Sequence, residues 1–81
     1  MQAFYTKRFL EHYASAPLRI QRAVDRRIAL LVQNLRHPSL QAKKYDAARD
    51  IWQARVNGGW RFYFSIEGDV YRLLSLLPHP K

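Results

Sequence analysis

Cysteine is absent from this sequence, so it can form neither a disulfide framework nor a thiolate metal site. No apolar run approaches the length that a membrane span requires. The first residues do not have the layout of a signal peptide, because Lys7 and Arg8 follow Phe4 without an apolar core between them. These absences predict a cytoplasmic protein that does not contact a membrane.

Acidic residues are also scarce: six Asp and Glu stand against fourteen Lys and Arg, which gives a formal net charge of +8. Ten of the fourteen basic residues are arginine, whose planar fork suits phosphate better than the point charge of lysine does. A charge of this size on 81 residues favours a polyanionic partner, namely RNA, DNA or an acidic protein. The alternative is a well-solvated basic surface that only aids solubility.

Motifs for metals and cofactors are missing as well. The three histidines show no HxxxH or HExxH spacing, so we expect no metal site. Gly58 and Gly59 belong to a hairpin turn and do not form a loop that could cradle phosphates. We therefore expect no small-molecule cofactor.

The hydrophobic periodicity changes along the chain. Apolar residues first recur at helical spacing, and after Pro38 the segments become rich in β-branched and aromatic residues that glycine turns separate. Residues 1–81 are expected to form a single α+β domain, with two N-terminal helices packed on one face of a small antiparallel sheet of three or four strands. The predicted elements are a short strand 2–5, helices 6–14 and 17–36, a possible strand 41–45, and strands 51–56, 60–66 and 70–77.

The register of the first hairpin can be argued from its side chains. A two-residue loop at Gly58 and Gly59 would place Arg55 opposite Phe62 and mix charged with apolar residues on one face. A three-residue loop from Asn57 to Gly59 instead places Arg55 opposite Arg61 and Val56 opposite Trp60. We choose the three-residue loop because it puts the apolar residues on one face of the sheet and the polar ones on the other.

The polar face of this hairpin is the candidate site. Arg55 and Arg61 are predicted to lie directly opposite each other, where like charges destabilise a cross-strand pair unless an anion lies between them. Tyr63 shares this face and could stack on a base, and Arg72 joins it if Gly68 and Asp69 form a two-residue loop. The alternative, that each arginine simply leans into water, carries equal weight.

Lys43, Lys44 and His79 complete the set of candidate residues. The two lysines are a second basic element, although neighbouring strand residues point to opposite sides, so only one is expected to face the site. His79 follows the last strand between Pro78 and Pro80, which should stiffen the chain and hold the imidazole in place for acid or base chemistry. The alternative is an exposed tail residue. The other histidines, at a helix surface and at a helix C-terminus, are weaker candidates.

Several short motifs together resemble the RelE/ParE toxin superfamily, and the resemblance extends over almost the whole chain. The order of the predicted elements also matches that family. The residues that carry the resemblance are His37-Pro38-Ser39-Leu40, Lys43-Lys44, the run from Ile51 to Val56, the run from Trp60 to Phe64, and Ile66-Glu67-Gly68-Asp69.

The resemblance implies a type II toxin that a cognate antitoxin neutralises by wrapping its basic face. RelE-like members enter the ribosomal A site and cut mRNA without a metal. Arg61 matches the family's phosphate-contacting arginine, Lys43 and Lys44 match its basic residues before the hairpin, and His79 falls where YoeB- and YafQ-like members have a catalytic histidine. The chain lacks the terminal aromatic residue of many members.

Two alternatives from other classes remain open at the level of sequence. One is a ParE-like toxin that inhibits DNA gyrase and has no nuclease activity. The other is a catalytically degenerate module that only binds an antitoxin or RNA.

Overall fold

The computed structural model describes residues 1–79 and contains two α-helices, one short 3-10 helix and five β-strands. Their arrangement confirms the α+β class, with both helices on one side of the sheet. In chain order the elements are β1 (Gln2–Tyr5), α1 (Lys7–Ser15), α2 (Leu18–Gln33), the 3-10 helix η1 (Pro38–Leu40), β2 (Lys43–Asp46), β3 (Ile51–Asn57), β4 (Trp60–Glu67) and β5 (Val70–Pro78).

The sheet has the strand order β1-β5-β4-β3-β2. Four of its strands are antiparallel neighbours, as predicted, whereas β1 adds a fifth strand that runs parallel to β5. A parallel neighbour needs a long crossover connection, and here α1, α2 and three strands lie between β1 and β5 in the chain. The sheet is therefore mixed and one strand wider than the sequence predicts.

The hydrophobic core lies between the helices and one face of the sheet. The apolar stripe of α2 supplies Ile20, Val24, Ile28 and Leu31, all of which are buried. The sheet contributes the alternate residues that the sequence assigned to the apolar face, and Phe62 and Phe64 are fully buried. Period-2 alternation on the strands and period-3.6 spacing on the helix therefore select the same core.

Helix α2 ends three residues earlier than predicted, at Gln33. Asn34 ends it, because its side chain accepts a hydrogen bond from the backbone N–H of Arg36 at 3.0 Å and so competes with helical bonding. His37 is consequently not part of the helix C-terminus. Its Nδ1 accepts a hydrogen bond from the backbone N–H of Ser39 at 3.2 Å and caps η1.

The β3–β4 hairpin combines the two-residue turn that the sequence analysis rejected with the Arg55–Arg61 pairing that it predicted. Asn57 pairs with Trp60 across a two-residue turn, and the predicted pairing of Val56 with Trp60 is wrong. Arg55 nevertheless pairs with Arg61 as predicted, because Val56 is an extra residue that bulges out of the ladder. The bulge shifts the register by one residue, so a two-residue turn still keeps polar and apolar residues on separate faces.

Arg27 of α2 binds the backbone at this bulge. Its Nε donates a hydrogen bond to the carbonyl oxygen of Val56 at 3.0 Å, and its Nη1 donates one to the carbonyl oxygen of Ser39 at 3.3 Å. A bulge interrupts regular pairing between strands, and Arg27 supplies a donor at that point. This arginine therefore joins α2, the segment of η1 and the bulged strand.

Beyond the end of β1, helix α1 continues the hydrogen bonding along the edge of β5. The hydroxyl of Thr6 donates a hydrogen bond to the carbonyl oxygen of Leu73 at 2.7 Å. Further along, the backbone N–H of Leu76 donates to Nδ1 of His12 at 3.1 Å. His12 is therefore half-buried and bonded to the sheet, and it is not the helix-surface residue that the sequence suggests.

The β4–β5 turn is the predicted two-residue loop, since Glu67 pairs with Val70 around Gly68 and Asp69. Gly68 has a φ of +61°, in the left-handed region that side chains with a Cβ avoid. Replacing Gly68 with Ala should lower the free energy of unfolding by about 1 kcal/mol, measured by urea denaturation.

Gly58→Ala is the matched control for this prediction. The φ of Gly58 is not positive, and a Cβ added there would meet only Nη2 of Arg55 at 3.9 Å, an ordinary contact. A change below about 0.5 kcal/mol is expected there. Equal losses in the two variants would contradict the argument from φ.

Candidate nucleic-acid interface

The side of the sheet opposite the helices, here called the open face, collects the polar residues of four strands. Cα partners in neighbouring strands share a face, so the register assigns its members. The open face carries Lys43 and Tyr45 of β2, Ile51, Gln53 and Arg55 of β3, Arg61, Tyr63 and Ser65 of β4, and Arg72, Leu74, Ser75 and Leu77 of β5.

Arg55 and Arg61 lie together at the turn end of the open face. They are Cα partners and both are half-buried, so they point to the same side of the sheet, as the sequence predicts. Nη1 of Arg61 donates hydrogen bonds to the carbonyl oxygens of Asn57 at 2.6 Å and Trp60 at 2.9 Å. These bonds fix one nitrogen of Arg61 at the turn and leave its remaining N–H groups available to an anion.

The guanidinium of Arg55 lies at the same turn, because its Nη2 is 3.9 Å from the position that a Cβ on Gly58 would take. Two arginine side chains thus converge on one hairpin turn. Like charges in this arrangement repel unless a counterion lies between them. A phosphate oxygen is the kind of group that would convert the repulsion into charge-assisted hydrogen bonds.

His79 is anchored beside this turn. Its backbone N–H donates a hydrogen bond to the carbonyl oxygen of Gly59 at 2.8 Å, and the preceding Pro78 pairs with Trp60. Nδ1 of His79 is buried and has no hydrogen-bond partner within residues 1–79. A buried polar nitrogen without a partner is uncommon and marks a position where a ligand could supply one. The predicted stiffening by Pro80 lies outside the described residues.

The two lysines separate, as strand geometry requires. Lys43 pairs with Gln53 and therefore lies on the open face, where it is exposed. Lys44 pairs with Trp52 on the helix side and forms an ion pair with Asp50. Its Nζ also lies 5.4 Å from the centroid of the Trp52 ring. Lys44 is thus directed away from Arg61, and Lys43 is the one lysine of the pair on the same face as Arg61.

Tyr63 lies on the open face two residues along β4 from Arg61. Its ring meets that of Tyr45 edge-on, with centroids 4.9 Å apart. Burial raises the pKa of Tyr63 and the nearby Tyr45 adds to the rise, while the positive charge of Arg61 opposes it. Tyr63 therefore keeps its phenol proton at neutral pH and can donate a hydrogen bond.

Arg72 is on the open face, as predicted, because it pairs with Ser65. It lies at the other end of the face. Its partner Ser65 is four residues from Arg61 on β4, which at about 3.4 Å per residue is about 14 Å. Its Nη1 is 3.7 Å from a carboxylate oxygen of Glu67. Both groups are exposed, so this ion pair is weak and leaves the arginine free to exchange partners.

The sequence did not predict a hollow of about 400 Å³ on the open face. It lies between the Arg55–Arg61 end and the Arg72 end, and apolar and aromatic side chains form most of its walls. Parity could have found Tyr45, two residues after Lys43, and Leu74, two residues after Arg72, but Ser75 and Leu77 come to this side only because β5 has an irregular register there. The residues of the hollow used below are Arg8, Tyr45, Ile51, Tyr63, Leu74, Ser75 and Leu77.

Two structural features are absent from residues 1–79. In this part of the chain, no group of three or more histidine or acidic side chains could hold a metal ion. No helix in this range is both long enough and apolar enough to cross a membrane.

Comparisons of sequence and of structure differ in outcome. No model of a protein family matches this sequence, and no curated protein matches it significantly. Solved structures do match. The YoeB/ParE toxin from Agrobacterium tumefaciens superposes with a TM-score of 0.79 at 12% identity, over 99% of this chain and 100% of that chain.

Two other toxins are similarly close in structure. YafQ from E. coli strain BL21(DE3) has a TM-score of 0.79 at 16% identity, over 95% of this chain and 91% of that chain. RelE in the archaeal RelE–RelB complex from Pyrococcus horikoshii OT3 has a TM-score of 0.77 at 20% identity, over 95% of this chain and 92% of that chain. The fold that the resemblance implies is therefore confirmed, and the chain has the fold that these RelE, YoeB/ParE and YafQ toxins share.

Proposed function

We propose that residues 1–81 form a toxin domain of a type II toxin–antitoxin system, and that it cleaves mRNA on the ribosome. The observation that carries the proposal is the convergence of Arg55, Arg61 and His79 on one hairpin turn at the end of the open face. Arginine pairs bind phosphate, and a histidine nearby can transfer protons near neutral pH. Together they supply charge stabilisation and one of the two proton transfers that cleavage of a phosphodiester needs.

The chemistry uses the RNA itself as the nucleophile. The 2′-hydroxyl attacks the adjacent phosphorus while a base removes its proton, the bond to the 5′-oxygen breaks, and an acid protonates that leaving oxygen. A 2′,3′-cyclic phosphate and a 5′-hydroxyl result. Negative charge builds on the phosphate oxygens in the transition state, where the guanidinium groups of Arg55 and Arg61 stabilise it most.

His79 is the candidate for one of the two proton transfers. Its backbone bond to Gly59 holds the residue beside the arginines, and its buried Nδ1 has no competing partner within residues 1–79. Lys43 and Tyr63 on the same face, with Arg72 further along it, would hold the neighbouring stretch of RNA. Lys44 is not included, because it is engaged with Asp50 and Trp52.

A cognate antitoxin is the proposed protein partner. Several of the similar solved structures are toxin–antitoxin complexes, among them the intact E. coli RelBE complex. The open face of this chain joins cationic groups with exposed apolar ones, so an acidic segment with apolar anchors would cover it. The proposed site of action is the ribosomal A site, which places the protein in the cytoplasm.

A cell-free translation reaction tests the proposal. Purified protein is added, and mRNA ends are mapped by primer extension with and without ribosomes. Cuts that appear only with ribosomes and follow the codon phase are expected. His79→Ala should lower the cleavage rate about 100-fold or more, as expected for the loss of a general acid or base.

Two results would contradict the proposal. Intact mRNA together with loss of gyrase supercoiling would indicate the gyrase-inhibiting alternative. Intact mRNA with no effect on translation or on gyrase would indicate a module that only binds. Full cleavage by His79→Ala would remove His79 from the chemistry without removing the nuclease activity.

A further inference from the structure

The hollow on the open face begins where the arginine pair ends. Tyr63 follows Arg61 by two residues on β4, about 7 Å along the strand. Leu77, another wall residue, is the Cα partner of Arg61 on β5. A group held by Arg61 therefore lies next to the mouth of the hollow, and a chain that continues from the arginines along β4 runs across it.

The walls of the hollow suit a flat aromatic ligand. Tyr45 and Tyr63 present two rings, and Ile51, Leu74 and Leu77 add apolar surface. Its volume of about 400 Å³ lies within the usual range of ligand sites, about 300–1,000 Å³. Polar groups are few, with the hydroxyl of Ser75 and the guanidinium of Arg8 at the lining. Most ligand pockets combine apolar walls with a few polar contacts in this way.

The wall residues of the hollow are more exposed than is usual for large apolar side chains. Tyr45, on the edge strand β2, is 63% exposed, and Leu77, near the end of β5, is 41% exposed. Large apolar groups that share one exposed patch mark a binding surface more often than isolated ones do.

We propose that this hollow receives one unpaired nucleobase of the RNA strand whose neighbouring phosphate is held by Arg55 and Arg61. The inference rests on the proposed function for the presence of an RNA strand, and it adds where a base is bound and by which residues. The base stacks on the ring of Tyr45 and meets that of Tyr63 edge-on, because the two rings are inclined at 65°, and its polar edge lies near Ser75 and Arg8.

The positive charge around the hollow favours a nucleobase over an apolar side chain of a protein. Arg61 stands at one end of the hollow, Arg8 lies in its lining, and Lys43 is two residues from the wall residue Tyr45 on β2. A nucleotide brings its own phosphate to each side of the base and so neutralises these cations as the hollow fills. An apolar side chain fills the hollow but leaves the cations to be neutralised by other residues of its chain.

An RNA octamer with 2′-O-methyl groups tests the proposal, because the blocked 2′-oxygens prevent cleavage. Binding is followed by fluorescence anisotropy at low salt, with a single abasic site moved along the octamer. One abasic position should weaken binding to the unaltered protein about tenfold, which corresponds to about 1.4 kcal/mol and lies within the range for base stacking on aromatic side chains.

Tyr45→Ala should weaken binding of the intact octamer about tenfold and should abolish the effect of the abasic site. The matched control is Phe4→Ala. Phe4 is an aromatic residue of similar exposure, 55%, whose Cα partner is Arg72, but it lies outside the hollow. This variant should bind both octamers as the unaltered protein does. Both substitutions remove exposed side chains, and unchanged thermal unfolding would verify that the variants are folded.

Equal binding of every abasic octamer by the unaltered protein would overturn the proposal. So would a Tyr45→Ala variant that binds RNA normally but no longer binds an acidic antitoxin segment, because the hollow would then be a protein anchor. If Arg61 does not hold a phosphate, the result differs. The Arg61→Ala variant would then bind RNA as tightly as the unaltered protein does, and the abasic site would still weaken binding.

Discussion

Replacing Arg61 with Ala is expected to lower the rate of ribosome-dependent mRNA cleavage about 100- to 1,000-fold, the usual cost of removing one group that stabilises transition-state charge. Arg61 and Arg55 converge on the same turn, so the loss leaves one guanidinium to meet the charge that builds on the phosphate. The measurement is the cleavage rate by primer extension at saturating ribosomes.

Arg26→Ala is the control for charge alone. It removes an exposed arginine of α2, on the helix side of the molecule, and should change cleavage less than about threefold through long-range electrostatics. Arg61→Lys retains the charge but loses the planar guanidinium that donates two parallel hydrogen bonds to phosphate, and we expect it to recover only part of the cleavage rate. Cleavage by Arg61→Ala at the unaltered rate would remove Arg61 from the site.

Arg61 also holds the turn through its bonds to Asn57 and Trp60, so a loss of rate could have a structural origin. The two causes differ in their signatures. A local loss of charge stabilisation lowers the cleavage rate and leaves thermal unfolding nearly unchanged. A collapsed turn lowers the unfolding temperature as well, and the lysine variant would not restore it.

Replacing Arg27 with Ala is expected to lower the free energy of unfolding by about 1.5–3 kcal/mol, the range for hydrogen bonds made by a charged group. Arg27 donates to the carbonyl oxygens of Val56 and Ser39, and its loss leaves the oxygen at the bulge without this donor. Urea denaturation measures the change. For a domain of this size the unfolding temperature should fall by roughly 4–8 °C per kcal/mol.

Arg26→Ala again provides the comparison, since it removes an exposed neighbour of the same type and should change stability by less than about 0.5 kcal/mol. A similar small change in Arg27→Ala would show that the bulge is held by the strand pairing alone. The substitution should also reduce cleavage, because the bulge sets Arg55 opposite Arg61.

Much of the fold follows from periodicity. The strand and helix periods are local properties of the chain, and they predict which residues of α2 and of the hairpins are buried. The parallel pairing of β1 could not be predicted in this way, because a four-residue strand carries no signal of its partner. The early end of α2 depends on a side-chain bond of Asn34 that competes with the helix.

The candidate site shows the same division. The opposition of Arg55 and Arg61 was predicted from the segregation of polar and apolar faces, although the three-residue turn predicted with it is wrong. The place of Arg72 was predicted from alternation and the two-residue turn at Gly68 and Asp69. Lys44 could not be assigned between two sides until the register of β2 was known. The hollow was missed because its walls come from four strands and the start of α1, which lie far apart in the sequence.

The sequence by itself determined the excess of positive charge, the order of the elements and the two faces of the central hairpin, since these depend on composition and on neighbours along the chain. Only the tertiary structure decided that the hairpin contains a bulge, that Arg27 binds there, and that His79 lies beside the arginine pair. Each of these depends on contacts between distant segments, and such contacts form only when the sheet pairs and the helices pack on it.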